Sequence, residues 1–150
     1  MSASTYLHPA GGVGIVATGA ALGEQVVDTA TLAQRHGWDE ATVARIHKGA
    51  GVERRHHALP DTTTADLGAR AARAALATTA HSPARLLVAT VSADTPLPAC
   101  APRIAWRLGW TGTAALDVGA ACSGFLYGLD LAARCVRTGD PSVLLVAADV

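Results

Sequence analysis

Aromatic side chains are scarce in this chain of 150 residues: one Phe, two Tyr and three Trp, 4% of the whole. Any core must therefore be assembled from Ala, Val and Leu, and hydrophobic residues make up 50% of the sequence. Net charge is also missing. Twelve basic and twelve acidic residues cancel, and they are scattered rather than blocked. That excludes the basic stripe of a nucleic-acid binder and the polybasic patch of a protein held on an anionic membrane. Cysteine is limited to Cys100, Cys122 and Cys135, with no CxxC pair and no even number from which to build a disulfide framework. Such usage suits a reducing cytoplasm. No apolar run approaches the roughly 20 residues that cross a bilayer. The opening Met-Ser-Ala-Ser-Thr-Tyr has neither the basic nor the apolar part of a signal peptide. Repeats, linkers and low-complexity segments are lacking too. What is left is one domain's worth of chain, long enough to bury a core.

The patterns that are present alternate between strand and helix. Residues 13–20, rich in Val and Ile between glycines, predict a first strand. Helices are expected over 30–36 and 40–48, the second broken by Gly49-Ala50-Gly51, followed by a polar loop over 51–62. Thr63 and Asp66 form a capping-box pattern that opens an alanine-rich helix to about residue 78. Residues 86–91 form an unbroken apolar strand, and the Pro96 and Pro98 region after it cannot be one. A helix is expected over 99–108, a strand over 114–118, a helix over 122–137 ending at Gly139, and a strand over 143–150. Continuously apolar strands alternating with helices predict an α/β fold with a mainly parallel central sheet covered on both faces. Gly124 and Gly128 within one helix suggest a central, shielded helix packed closely on its neighbours. The final apolar strand has no turn, cap or tail after it, as if the fold stopped midway.

The chemistry concentrates at Cys122, in the run Leu116-Asp117-Val118-Gly119-Ala120-Ala121-Cys122-Ser123-Gly124-Phe125. Ala120 and Gly124 stand two residues either side of the thiol, the small-x-nucleophile-x-small layout of a sharp strand-to-helix turn. A thiol there faces a helix N-terminus, whose free N–H groups and dipole favour a thiolate. A lone free cysteine is more often a buried packing residue, but this context points to a nucleophile. Other candidates are thinner. Gly12-Val13-Gly14 and Gly19 precede a predicted strand, the wrong order for a dinucleotide fingerprint. The histidines, His8, His36, His47, His56, His57 and His81, fall in polar segments and read as solvated surface. His56-His57 has no third ligand at metal-site spacing, so no metal is expected. Arg54-Arg55 is either an exposed turn or a grip on a phosphate-bearing ligand.

The run from Asp117 to Tyr127, the helix to Gly139 and the strand Leu144-Leu145-Val146-Ala147-Ala148-Asp149-Val150 resemble β-ketoacyl-ACP synthase III, a thiolase-fold condensing enzyme. Gly51-Val52-Glu53-Arg54-Arg55, Ala89-Thr90-Val91-Ser92-Ala93-Asp94 with Pro98, and Leu108-Gly109 reinforce the resemblance in order. It implies a thiolase-like layered α-β-α fold, with residues 1–150 as the first of two similar halves and the C-terminal half, which holds the family's catalytic His and Asn, not in this chain. It implies Cys122 as the nucleophile that takes an acyl group from acyl-CoA or acyl carrier protein. No cofactor is implied, since coenzyme A or a phosphopantetheine thioester is substrate. The substrate-binding residues implied are Arg55 near the coenzyme A nucleotide, Arg45, Leu97, which reaches the partner's acyl pocket in a homodimer, and Phe125. Three positions depart from the family pattern. Arg45 stands where many members carry an adenine-stacking tryptophan, Ala105 replaces a common glutamine, and Ala99-Cys100 replaces a Ser-Ala or Ser-Thr pair. These departures favour a relative in specialised, polyketide or fatty-acid-related metabolism. Three functions stay open at this point: decarboxylative condensation with a malonyl thioester, acyl transfer to an alcohol or amine, and a non-catalytic half or subunit of a split enzyme.

Overall fold

The computed structural model describes residues 12–150, so His8 and the opening six residues lie outside the described region. The described residues divide into two units: one of residues 12–21 together with Thr63–Val150, and a smaller one, Leu22–Thr62.

In the larger unit, three parallel strands, β3 (Arg85–Ala89), β4 (Ala114–Val118) and β5 (Val143–Ala147), lie in the order β4-β3-β5. Val88 stands opposite Asp117 on one side and Val146 on the other. Alternation along β3 sends Leu86 and Val88 to one face and Leu87 and Ala89 to the other, and all four are buried. This explains the unbroken apolar run: a strand covered on both faces has no solvent side to mark with polar residues. One face is covered by α3 (Thr64–Leu76) and α4 (Cys100–Arg107), where Ala65, Ala69, Ala72, Ile104 and Ala105 close over Leu86, Val88 and Val146. Small residues on α3 let it approach α4. A methyl at Gly68 would stand 2.5 Å from Ile104 Cδ1. The other face carries α5 (Gly124–Arg137), whose glycines rest on the sheet. A methyl at Gly124 would meet Ala89 Cβ at 3.1 Å, and one at Gly128 would meet Leu145 Cδ1 at 2.6 Å. The close packing expected of those two glycines is therefore present. The shielding is not: Phe125, Leu126 and Tyr127 on the outward side of α5 are exposed.

The smaller unit holds β1 (Gln25–Asp28), α1 (Thr29–His36), α2 (Glu40–Ala50) and β2 (Arg54–His57). Asp28 caps α1 through the Thr31 N–H at 2.6 Å, and Asp39 caps α2 through the Thr42 N–H at 2.8 Å. Gly37 and Gly51 end these helices in the left-handed conformation that glycine adopts without strain. The helix expected to break at Gly49 runs on to Ala50.

Two elements differ from expectation more sharply. Residues 13–20 form no strand, because they have no ladder partner among the described residues, and Val13, Ile15 and Val16 are exposed. This segment instead runs against α3, where a methyl on Gly19 would lie 2.2 Å from the Ala75 backbone nitrogen. Within the expected 51–62 loop, Arg54–His57 pairs antiparallel with β1. Four charged or polar residues with no apolar alternation carry no strand signal, and backbone pairing alone makes them one.

Candidate active site

Strand β4 ends at Val118, and the chain turns within five residues into α5. Ala121 takes φ 45°, the only non-glycine residue with positive φ among those described. A methyl side chain tolerates that left-handed backbone at some cost in strain, and a β-branched residue would clash. Residues Ala121–Ser123 then form one 3-10 turn, with the Ser123 N–H donating to the Ala120 carbonyl at 3.1 Å, before the α-helix begins at Gly124. The helix expected from residue 122 thus starts two residues later, and the tight turn holds Cys122 just ahead of it. Small residues at Ala120 and Gly124 serve different ends: Ala120 bends the chain, while Gly124 lets the helix sit against Ala89.

Of the three thiols only Cys122 is exposed. Cys100 is buried in the α3–α4 core, and burial, followed by the nearby Asp94 and Asp117 carboxylates, pushes its thiol up to about 11. Cys135 is half-buried. The N-cap of α5, Ser123, makes no side-chain hydrogen bond to the helix, and no acidic residue stands in its first turn. The helix end beside Cys122 is therefore left uncapped. Phe125, in that first turn, is 48% exposed. His81 precedes the opposite end of the parallel sheet, so it stands well away from the thiol. Among the described residues, no three His, Cys, Asp or Glu side chains stand together as metal ligands. No helix there is long and apolar enough to cross a membrane.

Residues 90–99, between β3 and α4, lie at the same end of the sheet as Cys122. They are held by carboxylates. Asp149 Oδ1 accepts the Val91 N–H at 2.8 Å, the Ser92 N–H at 3.1 Å and the Thr90 and Ser92 hydroxyls. Asp94 accepts the Thr64 and Ala65 N–H groups at the start of α3, at 2.8 and 3.3 Å. Leu97 projects from this loop 84% exposed, and its peptide bond to Pro98 is cis. A shallow groove on α4 is lined by Pro98, Pro102, Arg103, Trp106 and Arg107, and Cys122 is no part of it. Its two guanidiniums are engaged, Arg107 with Asp66 at 2.6 Å and Arg103 with Asp94 at 3.5 Å.

The other two expected site residues belong to the smaller unit. Arg55 donates to the Thr29 hydroxyl at 3.0 Å, and that buried hydroxyl also lies within hydrogen-bond distance of the Val52 and Glu53 carbonyls. Arg45 is exposed on α2 and reaches the Thr42 hydroxyl at 3.3 Å. The larger unit thus carries Cys122, Phe125 and Leu97, and the smaller one Arg45 and Arg55.

Residues 116–150, from the middle of β4 through the Cys122 turn to the end of the chain, match the family profile of 3-oxoacyl-[acyl-carrier-protein] synthase III. The chain is synthase III-like, and it matches only a portion of such proteins. It is 40% identical over 141 residues to β-ketoacyl-[acyl-carrier-protein] synthase III 2 of Streptomyces coelicolor, covering 93% of this chain and 42% of that one. To the synthase III of Nitratidesulfovibrio vulgaris it is 48% identical over 114 residues, 73% of this chain and 34% of the relative. The crystal structure of the Pseudomonas aeruginosa 3-oxoacyl-(acyl carrier protein) synthase III superposes with a TM-score of 0.78 at 36% identity, over 87% of this chain and 41% of that one. The synthase III-like chain thus spans between about a third and two fifths of these relatives' length and shares their α/β layering over that stretch. The strand-to-helix turn expected at Cys122 is present, while the bonds made by Asp117, within β4, and Asp149, two residues past β5, were not anticipated from the sequence.

Proposed function

We propose that this chain forms the first half of an acyl-thioester condensing enzyme in which Cys122 is the nucleophile. One observation carries the reading: the only exposed thiol of the chain sits on a strained turn at an uncapped helix N-terminus. The Cys122 thiolate attacks the carbonyl of an acyl-CoA or acyl carrier protein thioester, and the carrier leaves as its thiol. Thioester exchanges for thioester, so the acyl group stays activated. A malonyl thioester then loses carbon dioxide, and its enolate attacks the acyl carbonyl. Cys122 thiolate departs, releasing the β-ketoacyl thioester. The Cys122 N–H supplies one side of the oxyanion hole. The His and Asn that stabilise the enolate belong to the second half, so residues 1–150 alone should not condense. Leu97 bounds the acyl pocket of a homodimeric partner, Phe125 borders the acyl site, and Arg55 and Arg45 meet the nucleotide of coenzyme A. The departures at Arg45, Ala99 and Ala105 favour specialised metabolism over a housekeeping fatty-acid initiator.

Intact-mass spectrometry of the enzyme after incubation with an acyl-CoA tests the assignment. One acyl adduct is expected, lost in Cys122→Ala and kept in Cys100→Ala and Cys135→Ala. An adduct that survives Cys122→Ala refutes the nucleophile. Adding malonyl-acyl carrier protein should then release carbon dioxide and a β-ketoacyl product. Acyl transfer to an alcohol or amine without carbon dioxide release would replace condensation with acyltransferase chemistry.

A further inference from the structure

Helix α4 begins without a cap of its own. Its N-cap is Ala99, which has no side-chain acceptor, and its third residue, Pro102, has no N–H. The two N–H groups at the start of the helix, those of Cys100 and Ala101, both go to the carboxylate of Asp117, at 2.8 and 2.7 Å. Asp117 is the penultimate residue of β4, the strand that runs into the Cys122 turn. Cys100 lies three residues beyond Leu97, where the 90–99 loop enters α4. On the near side of Leu97, the Thr95 hydroxyl donates to the Pro98 carbonyl at 3.1 Å and accepts from Arg103 at 3.1 Å. A large apolar side chain is thus held out in solvent on a loop fastened both before and after it.

We infer that Asp117 is a positioning residue: its carboxylate locks the loop that presents Leu97 to the strand that presents Cys122, so that acyl-chain selection depends on it. Its bonds are to the backbone of Cys100 and Ala101. With alanine at the N-cap and proline at the third position, no other side chain in that first turn shares the task. The inference rests on the reading of Cys122 and Leu97 given above.

The test uses the full-length enzyme and compares acetyl-CoA with octanoyl-CoA in acylation of Cys122, reading the ratio of the two kcat/KM values. The variants are Leu97→Ala, Asp117→Asn, Asp117→Glu and the double variant Leu97→Ala/Asp117→Asn. Asp117→Asn should move the ratio by up to about a hundredfold, as a displacement of about an ångström at a positioned group can. Asp117→Glu keeps the charge but lengthens the arm, and should move it less. The double variant should match Leu97→Ala alone, because the two residues act through one contact. A merely structural role for Asp117 would lower both kcat/KM values together and leave the ratio alone. If Leu97→Ala shifts the ratio while Asp117→Asn and Asp117→Glu do not, the inference fails and the Leu97 reading stands. If Leu97→Ala itself leaves the ratio unchanged, the Leu97 reading fails and takes the inference with it. Should Asp117→Asn fail to fold, Asp117→Glu decides: an unchanged ratio overturns the inference.

Discussion

Helices α4 and α5 start at the same end of one parallel sheet, on opposite faces, and their first turns are built in opposite ways. At α4 the two available N–H groups are consumed by Asp117, a residue from a neighbouring strand. At α5 no side chain caps the start and no carboxylate stands in the first turn. Helix α3 follows α4: Thr63 and Asp66 form a reciprocal capping box, and Asp94 takes two further N–H groups. A helix N-terminus attracts negative charge through its unpaired donors and its dipole. Two of the three helices of this unit spend that attraction on folding, and one keeps it beside a thiol.

The contrast can be broken from either side. Asp117→Ala leaves two N–H groups at the α4 start without acceptors, and we expect a loss of about 1–3 kcal/mol in urea unfolding. A loss below the error of the measurement would show that solvent replaces the carboxylate freely. Ser123→Asp makes α5 resemble α4 by placing a carboxylate at its open end. A negative charge there opposes a second one on the neighbouring Cys122 sulfur, so alkylation by iodoacetamide at neutral pH should slow about two- to fivefold. Equal rates would mean that the open helix end contributes little to reactivity.

Acid should separate the two regions as well. Hydrogen bonds from the Thr63 hydroxyl and the Arg107 guanidinium hold Asp66 down to about 2, below its ordinary 3.8. A depressed carboxylate contributes stability above its unfolded value and loses it as pH falls through the folded one. The capping box should therefore weaken between about pH 4 and pH 2, and Asp66→Asn should flatten the decline of unfolding midpoint over that range. A midpoint as steep in Asp66→Asn as in the parent would assign the acid loss elsewhere. The smallest effect is expected from Ala99→Ser. A serine N-cap is ordinarily worth about 1 kcal/mol, but Pro102 offers no N–H and the Ala101 N–H is already bonded to Asp117. A gain of less than about 0.5 kcal/mol is expected; a full-sized gain would show that Asp117 caps α4 poorly.

Much of this was legible in the sequence because it is local. The strand over 114–118 matches to the residue, since an apolar stretch between glycine-bearing turns has few alternatives. The capping box at Thr63 and the stop at Gly139 are sequence-adjacent devices, and both are present. What escaped is what depends on a distant partner. Arg54–His57 becomes a strand only because β1 lies alongside. Residues 13–20 have strand composition but no partner among the described residues. Strand β5 stops at Ala147 rather than running to the end, because Asp149 turns to bind the Thr90–Ser92 segment. Asp117 belongs to the same class. A carboxylate near the end of an apolar strand, and a helix opening on Pro-Ala-Cys without a cap, were both readable. Joining them required the parallel register that sets β4 beside β3.

The two glycines under α5 also act as a depth gauge. A methyl at Gly124 would press on Ala89 Cβ at 3.1 Å, and one at Gly128 on the Leu145 side chain at 2.6 Å. The helix settles only as far as its bare backbone allows, and Cys122 rides on its leading edge. The height of the sulfur above the sheet therefore depends on two absent methyl groups. Swelling the helix underside by a single carbon at Gly124 would lift the Cys122 sulfur by a few tenths of an ångström while leaving the chemistry of every neighbouring side chain as it was.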